Sequence, residues 1–297
     1  MSKPFEGVYV ALTTPFVDDE ISTERIQANV RQLNRTGLAG YLVLGSTGEC
    51  VFLSDEESEK LVEAVVEAAG PGKKVLVGTA RESTRGTIEF TNRFAGRGVS
   101  AALVRPPSYY KSKMTREALK KHFLAVADRS RLPVLIYNMP QNTGISLEPQ
   151  LIVDLAPHPN ITGLKESSGS LAFLGEVIRD VPPDFHYFLG SGHVVYPGLE
   201  MGACGAILAV ANAAPEMSAE ILGLFKAGKR EGARKLQLDL IPLNKAVTET
   251  YGIAGLKYAQ DLRGQYGGPV RLPLLPVEEK GKRDIESQMK KLGLWKA

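Results

Sequence analysis

The 297-residue sequence predicts an α/β fold, a (β/α)8 TIM barrel with a C-terminal helical bundle. Short apolar runs alternate with segments of helical period, which is typical of parallel βαβ units. There are eight such runs, the number of strands that closes this kind of barrel. The alternative is a doubly wound open sheet. It is disfavoured because no Gly-x-Gly-x-x-Gly motif follows the first run.

The predicted elements follow from this alternation. The eight apolar runs are GVYVALTTPF from Gly7, GYLVLGSTG from Gly40, KVLVGTA from Lys74, AALVRPP from Ala101, PVLIYNMP from Pro133, ITGLKES from Ile161, HYFLGSG from His186 and ACGAILAVAN from Ala203. Between the first three runs lie the helix candidates STERIQANVRQLNRTG and SDEESEKLVEAVVEAAG. The second candidate should begin at the N-cap Ser54, carry acidic residues in its first turn, and end at Gly70.

The pattern becomes helical after residue 214. Three further stretches have helical period, namely MSAEILGLFKAGKREGARKLQ, NKAVTETYGIAGLKYAQDLRGQYG and EEKGKRDIESQMKKLG. We therefore predict two domains. Residues 1–214 form the barrel that carries the active site, and residues 215–297 form a helical appendage beside it.

Composition and charge exclude several function classes. Apolar residues make up 43% of the chain, charged residues 23%, and the net charge is +3 with no basic run. Nucleic-acid and membrane partners are therefore not expected. The two cysteines predict no disulfide framework, and the N-terminal segment lacks a signal or transit pattern, so we expect a cytoplasmic protein. The four histidines are scattered, and no metal or other cofactor is expected.

A lysine stands near the end of the sixth run, at the mouth where barrel active sites are built. Ile161, Gly163 and Lys165 share one face of this strand by its two-residue period. If that face is inward, desolvation favours the neutral amine, which can attack a carbonyl carbon and form a Schiff base. The alternative is a lysine on the outer face or in the following loop.

Two other strand ends carry groups that suit the same chemistry. Tyr137 ends the fifth run and could transfer protons, although a hydrogen-bonded core tyrosine is the alternative. The turn Gly45–Gly48 offers backbone N–H groups and two hydroxyls to a carboxylate, or else is a purely structural tight turn. Together, a turn for the carboxylate, Lys165 for the ketone and Tyr137 for protons predict a site for a 2-oxo acid.

Five motifs carry a resemblance that covers essentially the whole chain. They are GSTGE (45–49), SYY (108–110), YNMPQNTG (137–144), GLKESSG (163–169) and GIAGLKYAQ…YGGPVRLPL (252–274). In this order the sequence resembles the dihydrodipicolinate synthase / N-acetylneuraminate lyase family of pyruvate-dependent class I aldolases. The resemblance implies a barrel with a C-terminal helical bundle. It also implies a homotetramer built as a dimer of dimers.

The resemblance also implies roles for individual residues. Lys165 is the Schiff-base lysine, Tyr137 the general acid–base, and Tyr110 reaches a neighbouring subunit's site to complete a relay with Ser46 and Tyr137. The pyruvyl carboxylate lies on the turn that contains Ser46 and Thr47. The full set of expected substrate-binding residues is Thr47, Gly48, Asn142, Ser167, Gly190 and Ile207.

Which substrate we expect depends on one position at which the sequence departs from the family pattern. The lysine-pathway synthases normally carry an arginine where this chain has Asn142, and an amide cannot replace a bidentate guanidinium against a carboxylate. The sequence is closer to the 4-hydroxy-2-oxoglutarate aldolase branch, in which Ser167 could contact the distal carboxylate. Arg105 is a second candidate anion partner, or else a residue of the rim.

The leading expectation is therefore cleavage of 4-hydroxy-2-oxoglutarate to pyruvate and glyoxylate, or the reverse reaction. The alternative is a dihydrodipicolinate synthase that condenses pyruvate with aspartate semialdehyde, or another 2-oxo-acid aldolase or dehydratase of the family. A non-catalytic sensor of 2-oxo acids is disfavoured because both Lys165 and Tyr137 are present. A metal-dependent aldolase is disfavoured because no cluster of ligand residues has suitable spacing.

Overall fold

A closed barrel of eight parallel strands forms the architecture of the computed structural model, which describes residues 4–296. The strands in that range are β1 (Gly7–Ala11), β2 (Phe16–Val17), β3 (Glu20–Ile21), β4 (Gly40–Val43), β5 (Lys74–Gly78), β6 (Ala101–Val104), β7 (Val134–Asn138), β8 (Ile161–Glu166), β9 (His186–Leu189) and β10 (Gly205–Leu208). Around the barrel the neighbours are β1, β10, β9, β8, β7, β6, β5 and β4. The predicted (β/α)8 TIM barrel is confirmed, and each predicted run contains one barrel strand.

Helices follow the barrel strands and continue to the C-terminal region. They are α1 (Thr23–Leu33), α2 (Asp55–Ala68), α3 (Thr84–Arg93), α4 (Arg116–Arg129), α5 (Pro140–Thr143), α6 (Pro149–Leu155), α7 (Leu171–Asp180), α8 (Val195–Glu200), α9 (Pro215–Lys226), α10 (Arg230–Lys245), α11 (Gly252–Leu262) and α12 (Glu279–Lys291). A π-helical segment, Ala246–Thr250, joins α10 to α11. Within residues 4–296, no helix is long and apolar enough to cross a bilayer.

The barrel strands are short apolar runs because both of their faces are covered. Every residue of β1, β4, β6, β7, β9 and β10 is buried. Strands of a parallel sheet covered on both sides are expected to read as continuous apolar segments, without the alternation of a half-exposed strand. This explains why the eight runs could be recognised from the sequence.

The start of α2 is as predicted, but its end is different. Ser54 accepts a hydrogen bond from Glu57 N–H, and the Glu57 carboxylate accepts one from Ser54 N–H, which completes a capping box. The helix ends at Ala68, and the following residue, Ala69, is extended. Gly70 is therefore no left-handed helix cap. Its N–H donates to Asn34 Oδ1 over 2.8 Å, so a side chain supplies the partner.

A two-stranded hairpin, β2–β3, interrupts the passage from β1 to α1 and was absent from the prediction. Asp18 and Asp19 form its two-residue turn with φ values of 51° and 66°, the left-handed geometry of a tight hairpin turn. The strands have only two residues each. Such short strands leave little periodicity to read from a sequence.

Two compact units make up the fold, one of residues 4–6 with 76–207 and the other of residues 7–75 with 208–296. In the second unit α9 packs against β1 and α10, and α12 packs against α10 and α11. The division into a barrel of residues 1–214 and an appendage of residues 215–297 stays a prediction. The cytoplasmic location also stays a prediction.

Candidate active site

Lys165 lies on β8 with its side chain only 4% exposed. β8 pairs in parallel with β9, and in that register Gly163 is opposite His186 while Lys165 is opposite Phe188. A Cβ on Gly163 would lie 2.3 Å from the His186 carbonyl oxygen, so only glycine allows this approach. Lys165 is thus a buried strand residue and belongs to neither an exposed face nor the following loop.

Tyr137 is the direct neighbour of Lys165 across the β7–β8 pair. The two residues are in register, which places their side chains on the same face of the sheet. Lys165 Nζ lies 4.4 Å from the centre of the Tyr137 ring. The Tyr137 hydroxyl donates to the sulfur of Met139. The predicted amine and the predicted phenol are therefore brought together.

Ile207 shares this face. Gly205 on β10 is opposite Phe188 of β9, the residue that is itself opposite Lys165. The two-residue strand period places Ile207 on the same face as Gly205. Ile207 is fully buried. It therefore supplies apolar surface on the side of the sheet that carries the amine.

A buried carboxylate, Glu166, holds the segment after Lys165. It accepts hydrogen bonds from Ser168 N–H at 2.6 Å and Gly169 N–H at 3.2 Å. It also accepts one from Asn138 Nδ2 at 3.3 Å, while Asn138 Oδ1 accepts from Leu147 N–H at 3.0 Å. These bonds fix the ends of both strands that carry the amine and the phenol. Sequence reasoning missed both supporting residues, although each directly follows a predicted catalytic residue.

Ser167 and Gly190 lie against each other beyond the same strand ends. Gly190 N–H donates to Glu166 O over 2.6 Å, and Ser167 N–H donates to Asn138 O over 3.0 Å. A Cβ on Gly190 would lie 2.0 Å from Ser167 Oγ. Glycine at position 190 is therefore required by the close approach of the Ser167 segment. The structure brings these two predicted substrate-binding residues together.

Asn142 lies on the short helix α5, which follows β7. Its side chain is exposed, while the neighbouring Gln141 donates from Nε2 to Ser167 O over 2.8 Å. Thr143 Oγ1 donates back to Met139 O over 3.0 Å. Gly144 ends the helix with φ 65°, a left-handed conformation that favours glycine. The loop is thus anchored on both sides of Asn142, which itself faces solvent.

Tyr110 lies on a loop after β6 and is 70% exposed. Its ring packs edge-to-face on Tyr109, with the ring centres 5.0 Å apart. Glu82 fixes the start of this loop by accepting hydrogen bonds from the N–H groups of Ser108 and Tyr109 at 2.8 and 2.9 Å. Within one chain, therefore, Tyr110 presents its ring to the outside.

Arg105, the second anion partner considered from the sequence, is already paired. Its NH1 group lies 2.8 Å from a Glu82 carboxylate oxygen and donates to Pro106 O over 3.0 Å. Burial raises the pKa of Glu82, but hydrogen bonds from Tyr109, Ser108 and Arg105 outweigh it and hold that pKa below its usual range. The Glu82 carboxylate is therefore a stable partner, and Arg105 supports the loop.

The turn with Ser46, Thr47 and Gly48 is a single turn of 3₁₀ helix after β4. Gly48 N–H donates to Gly45 O over 3.0 Å, and the Thr14 hydroxyl donates to Gly48 O over 2.6 Å. The residues on either side of the turn, Leu44 and Glu49, have φ values of 57° and 54°. Such left-handed residues are uncommon outside glycine and are concentrated at functional sites.

Glu49, the last residue of the GSTGE motif, is held by a buried ion pair that the sequence did not reveal. Lys257 Nζ lies 2.6 Å from Glu49 Oε1, and their side chains are 1% and 0% exposed. Arg271 N–H donates to Glu49 Oε2 over 2.9 Å, and Lys257 also donates to Pro269 O over 2.6 Å. Burial lowers the pKa of Lys257, and the Glu49 carboxylate opposes that shift. The late motif 252–274 therefore supports the GSTGE turn.

The expected site residues fall into two groups. One compact unit contains Lys165, Tyr137, Tyr110, Asn142, Ser167, Gly190 and Ile207. The other unit contains Ser46, Thr47 and Gly48. Among residues 4–296, no group of three or more His, Cys, Asp and Glu side chains is arranged to hold a metal ion.

Comparisons with known proteins agree with this geometry. The sequence matches the dihydrodipicolinate synthetase family over residues 4–292. A 4-hydroxy-tetrahydrodipicolinate synthase from Methanopyrus kandleri is 36% identical, over 99% of this chain and 98% of the relative. YagE from Escherichia coli K12, a protein of the dihydrodipicolinic acid synthase family solved in complex with pyruvate, is 29% identical with a TM-score of 0.92, over 98% of this chain and 99% of that one.

A third similar protein is a monomeric dihydrodipicolinate synthase variant. It is 30% identical, with a TM-score of 0.93, over 98% of each chain. Similarity along the whole length, together with a buried strand lysine beside a tyrosine, defines the class of enzyme. The chain belongs to the dihydrodipicolinate synthetase family of class I aldolases and is a carbon–carbon lyase.

Proposed function

We propose that Lys165 forms an imine with pyruvate and that the resulting enamine reacts with an aldehyde that carries a carboxylate. The observation behind this proposal is the buried Lys165 amine, 4.4 Å from the centre of the Tyr137 ring on the adjacent strand. A buried amine without a bulk-water shell is suited to nucleophilic attack, and a phenol beside it is suited to proton transfer. A structure with pyruvate is known for the similar protein YagE.

The bond-making steps can be written with these two side chains and the substrates. The Lys165 nitrogen attacks the ketone carbon of pyruvate, and Tyr137 protonates the hydroxyl that leaves as water. Loss of a proton from the methyl group of the imine then gives an enamine. The enamine carbon bonds to the aldehyde carbon, whose oxygen takes up a proton. Hydrolysis of the new imine frees Lys165, and the reverse sequence cleaves the same bond.

The pyruvyl carboxylate is proposed to bind the turn of Ser46, Thr47 and Gly48. Strand ends of a parallel barrel meet at one mouth, which is where such enzymes build their sites. The single 3₁₀ turn offers N–H groups and hydroxyls, the donors that suit a carboxylate. In this proposal Ser46 also passes protons to and from Tyr137.

The comparisons favour aspartate semialdehyde as the second substrate. Relatives 32% to 36% identical are named 4-hydroxy-tetrahydrodipicolinate synthase. This supports the alternative reading of the sequence, condensation of pyruvate with aspartate semialdehyde, better than the leading one. We therefore take that condensation as the first candidate reaction.

One residue favours the second candidate, cleavage of 4-hydroxy-2-oxoglutarate to pyruvate and glyoxylate. Asn142 occupies the position at which the lysine-pathway synthases normally carry an arginine. An amide lacks the charge and the paired donors with which a guanidinium binds a carboxylate. Ser167, which lies against Gly190 near the strand ends, would contact the distal carboxylate in this candidate.

The experiment that separates the candidates compares their specificity constants. We expect activity with at least one carboxylated aldehyde, so kcat/KM for condensation of pyruvate with aspartate semialdehyde is measured beside kcat/KM for cleavage of 4-hydroxy-2-oxoglutarate. Dominant condensation supports the synthase, and dominant cleavage supports the aldolase. Absence of both activities, with no pyruvate adduct, would contradict the proposed function.

Replacing Tyr137 with phenylalanine should slow turnover by about 10²–10⁴-fold, the usual loss for a general acid–base group. The ring that contacts Lys165 is kept, so the fold and the first encounter with pyruvate should be preserved. Steady-state kinetics measure the effect, and circular dichroism checks the fold. A rate within a few-fold of the wild type would remove Tyr137 from the mechanism.

We further propose that Tyr110 works in an assembly of chains. Its exposed ring would enter the site of a neighbouring subunit and join the relay of Ser46 and Tyr137, in a homotetramer built as a dimer of dimers. One of the similar structures is a monomeric dihydrodipicolinate synthase variant, so the assembly of this chain has to be measured. A solution mass of one chain, measured by light scattering on the active enzyme, would contradict this proposal.

A further inference from the structure

Lys111 lies directly over the end of the loop that carries Asn142. It begins a short 3₁₀ helix, Lys111–Lys113, immediately after Tyr110. A Cβ placed on Gly144 would lie 2.8 Å from Lys111 Nζ and 3.1 Å from its Cε. The far end of the lysine side chain is therefore seated on Gly144, two residues after Asn142.

Among residues 4–296, the Lys111 ammonium has no ion-pair partner. Within residues 4–296 its Nζ makes no hydrogen bond or ion pair to another group. The segment beneath it, 139–147 with the sequence MPQNTGISL, contains no charged residue. An uncompensated cation next to a neutral loop creates a local attraction for anions. Gly144 lies two residues after Asn142, the residue at which the resemblance leads us to expect the second substrate's carboxylate.

Arg105 is the other cation considered for that carboxylate, but its side chain already has an ion-pair partner. Its guanidinium is bound to Glu82 and to the Pro106 carbonyl group. Recruiting it would mean breaking an ion pair that also supports the Tyr109 loop. Lys111 can bind an anion without breaking any contact of its amine, so it is the better candidate.

We propose that Lys111 binds the distal carboxylate of the second substrate and so supplies the positive charge that Asn142 lacks. This inference rests on the proposed function, because it concerns the partner with which the pyruvate enamine reacts. A lysine pairs with a carboxylate as a point charge, without the paired geometry of arginine. In this proposal the amide of Asn142, two residues before Gly144, would add a neutral hydrogen-bond donor. Lys111 is thus a residue that selects the acceptor.

The test replaces Lys111 with methionine, which keeps most of the length of the side chain and removes the charge. The KM for the carboxylated acceptor that the wild type uses, glyoxylate or aspartate semialdehyde, should rise about tenfold or more, as expected for a lost charge-assisted hydrogen bond. The kcat/KM for acetaldehyde, which has no carboxylate, should stay unchanged. The adduct formed with pyruvate and borohydride should also stay unchanged.

Two variants serve as controls. Lys111→Arg keeps the charge and should retain most of the preference for the carboxylated acceptor. Lys113→Met removes an exposed lysine from the same short helix and should leave both acceptors unaffected. Equal losses of Lys111→Met on both acceptors, or no loss on either, would overturn the inference. A wild type that forms no pyruvate adduct would instead overturn the proposed function, which the borohydride reaction detects separately.

Discussion

Replacing Lys165 with alanine should reduce turnover to the background rate and leave the fold intact. In the proposed mechanism this amine forms the covalent bond to pyruvate, and no other side chain can substitute for that bond. Among residues 4–296 Lys165 forms no ion pair, and its amine lies over the Tyr137 ring, so its removal leaves no buried countercharge without a partner. Steady-state kinetics give the rate, and circular dichroism with thermal unfolding reports the fold.

Lys165→Met provides a control for packing in this experiment. It fills more of the buried space than alanine and still lacks the nucleophile, so it should be equally inactive and more stable than Lys165→Ala. An active and folded Lys165→Met enzyme would show that the amine is not needed, and the covalent mechanism would fail. If both variants are inactive only because they are unfolded, the assignment of a catalytic role to Lys165 would also fail.

Removing one partner of the Glu49–Lys257 pair should produce the largest loss of stability. In Lys257→Met the carboxylate of Glu49 would stay buried without its cation, 2.6 Å from where the amine was. Breaking a buried pair in this way costs about 3–5 kcal/mol of unfolding free energy. Urea unfolding of wild type and variant measures the difference. We also expect weaker pyruvate binding, because Glu49 directly follows the turn proposed for the carboxylate.

The double variant Glu49→Gln/Lys257→Met identifies the cause. It removes both charges of the pair, and the glutamine oxygen can still accept the hydrogen bond from Arg271 N–H. Most of the lost stability should therefore return. The exposed pair Lys235–Asp239 is a matched control, since Lys235 is 77% exposed and Lys235→Met should change stability by less than about 1 kcal/mol. Equal effects of Lys257→Met and Lys235→Met would contradict the role given to the buried pair.

The sequence predicted those strands, strand faces and helix caps that depend on residues close together along the chain. Strands covered on both faces are continuous apolar runs, so β1 and the seven other barrel strands could be recognised, and the period of β8 placed Gly163 and Lys165 on one face. The serine and glutamate of the α2 capping box are three residues apart and could also be read. Gly70 looked like a helix cap, but Asn34, distant in the sequence, supplies the partner of its N–H group.

The parts that were missed depend on contacts between distant segments. Nothing in the GSTGE motif indicates that Glu49 will meet Lys257, because that pairing exists only after the chain has folded. The position of Lys111 over Gly144 likewise joins two loops that follow different strands. The sequence offers Arg105 as a second anion partner, but it does not indicate that Arg105 pairs with Glu82. Local patterns therefore indicate the proposed nucleophile, whereas the residues that support it could be identified only from the structure.

The most direct test of the central claim is to trap the imine. The enzyme is incubated with pyruvate and sodium borohydride, digested, and the modified peptide is identified by mass spectrometry, with Lys165→Met treated in parallel. We expect a reduced pyruvyl adduct on Lys165 in the wild type, loss of activity in proportion to its yield, and no such adduct in the variant. An unmodified Lys165 in a fully active enzyme, or an adduct on a different lysine, would contradict it.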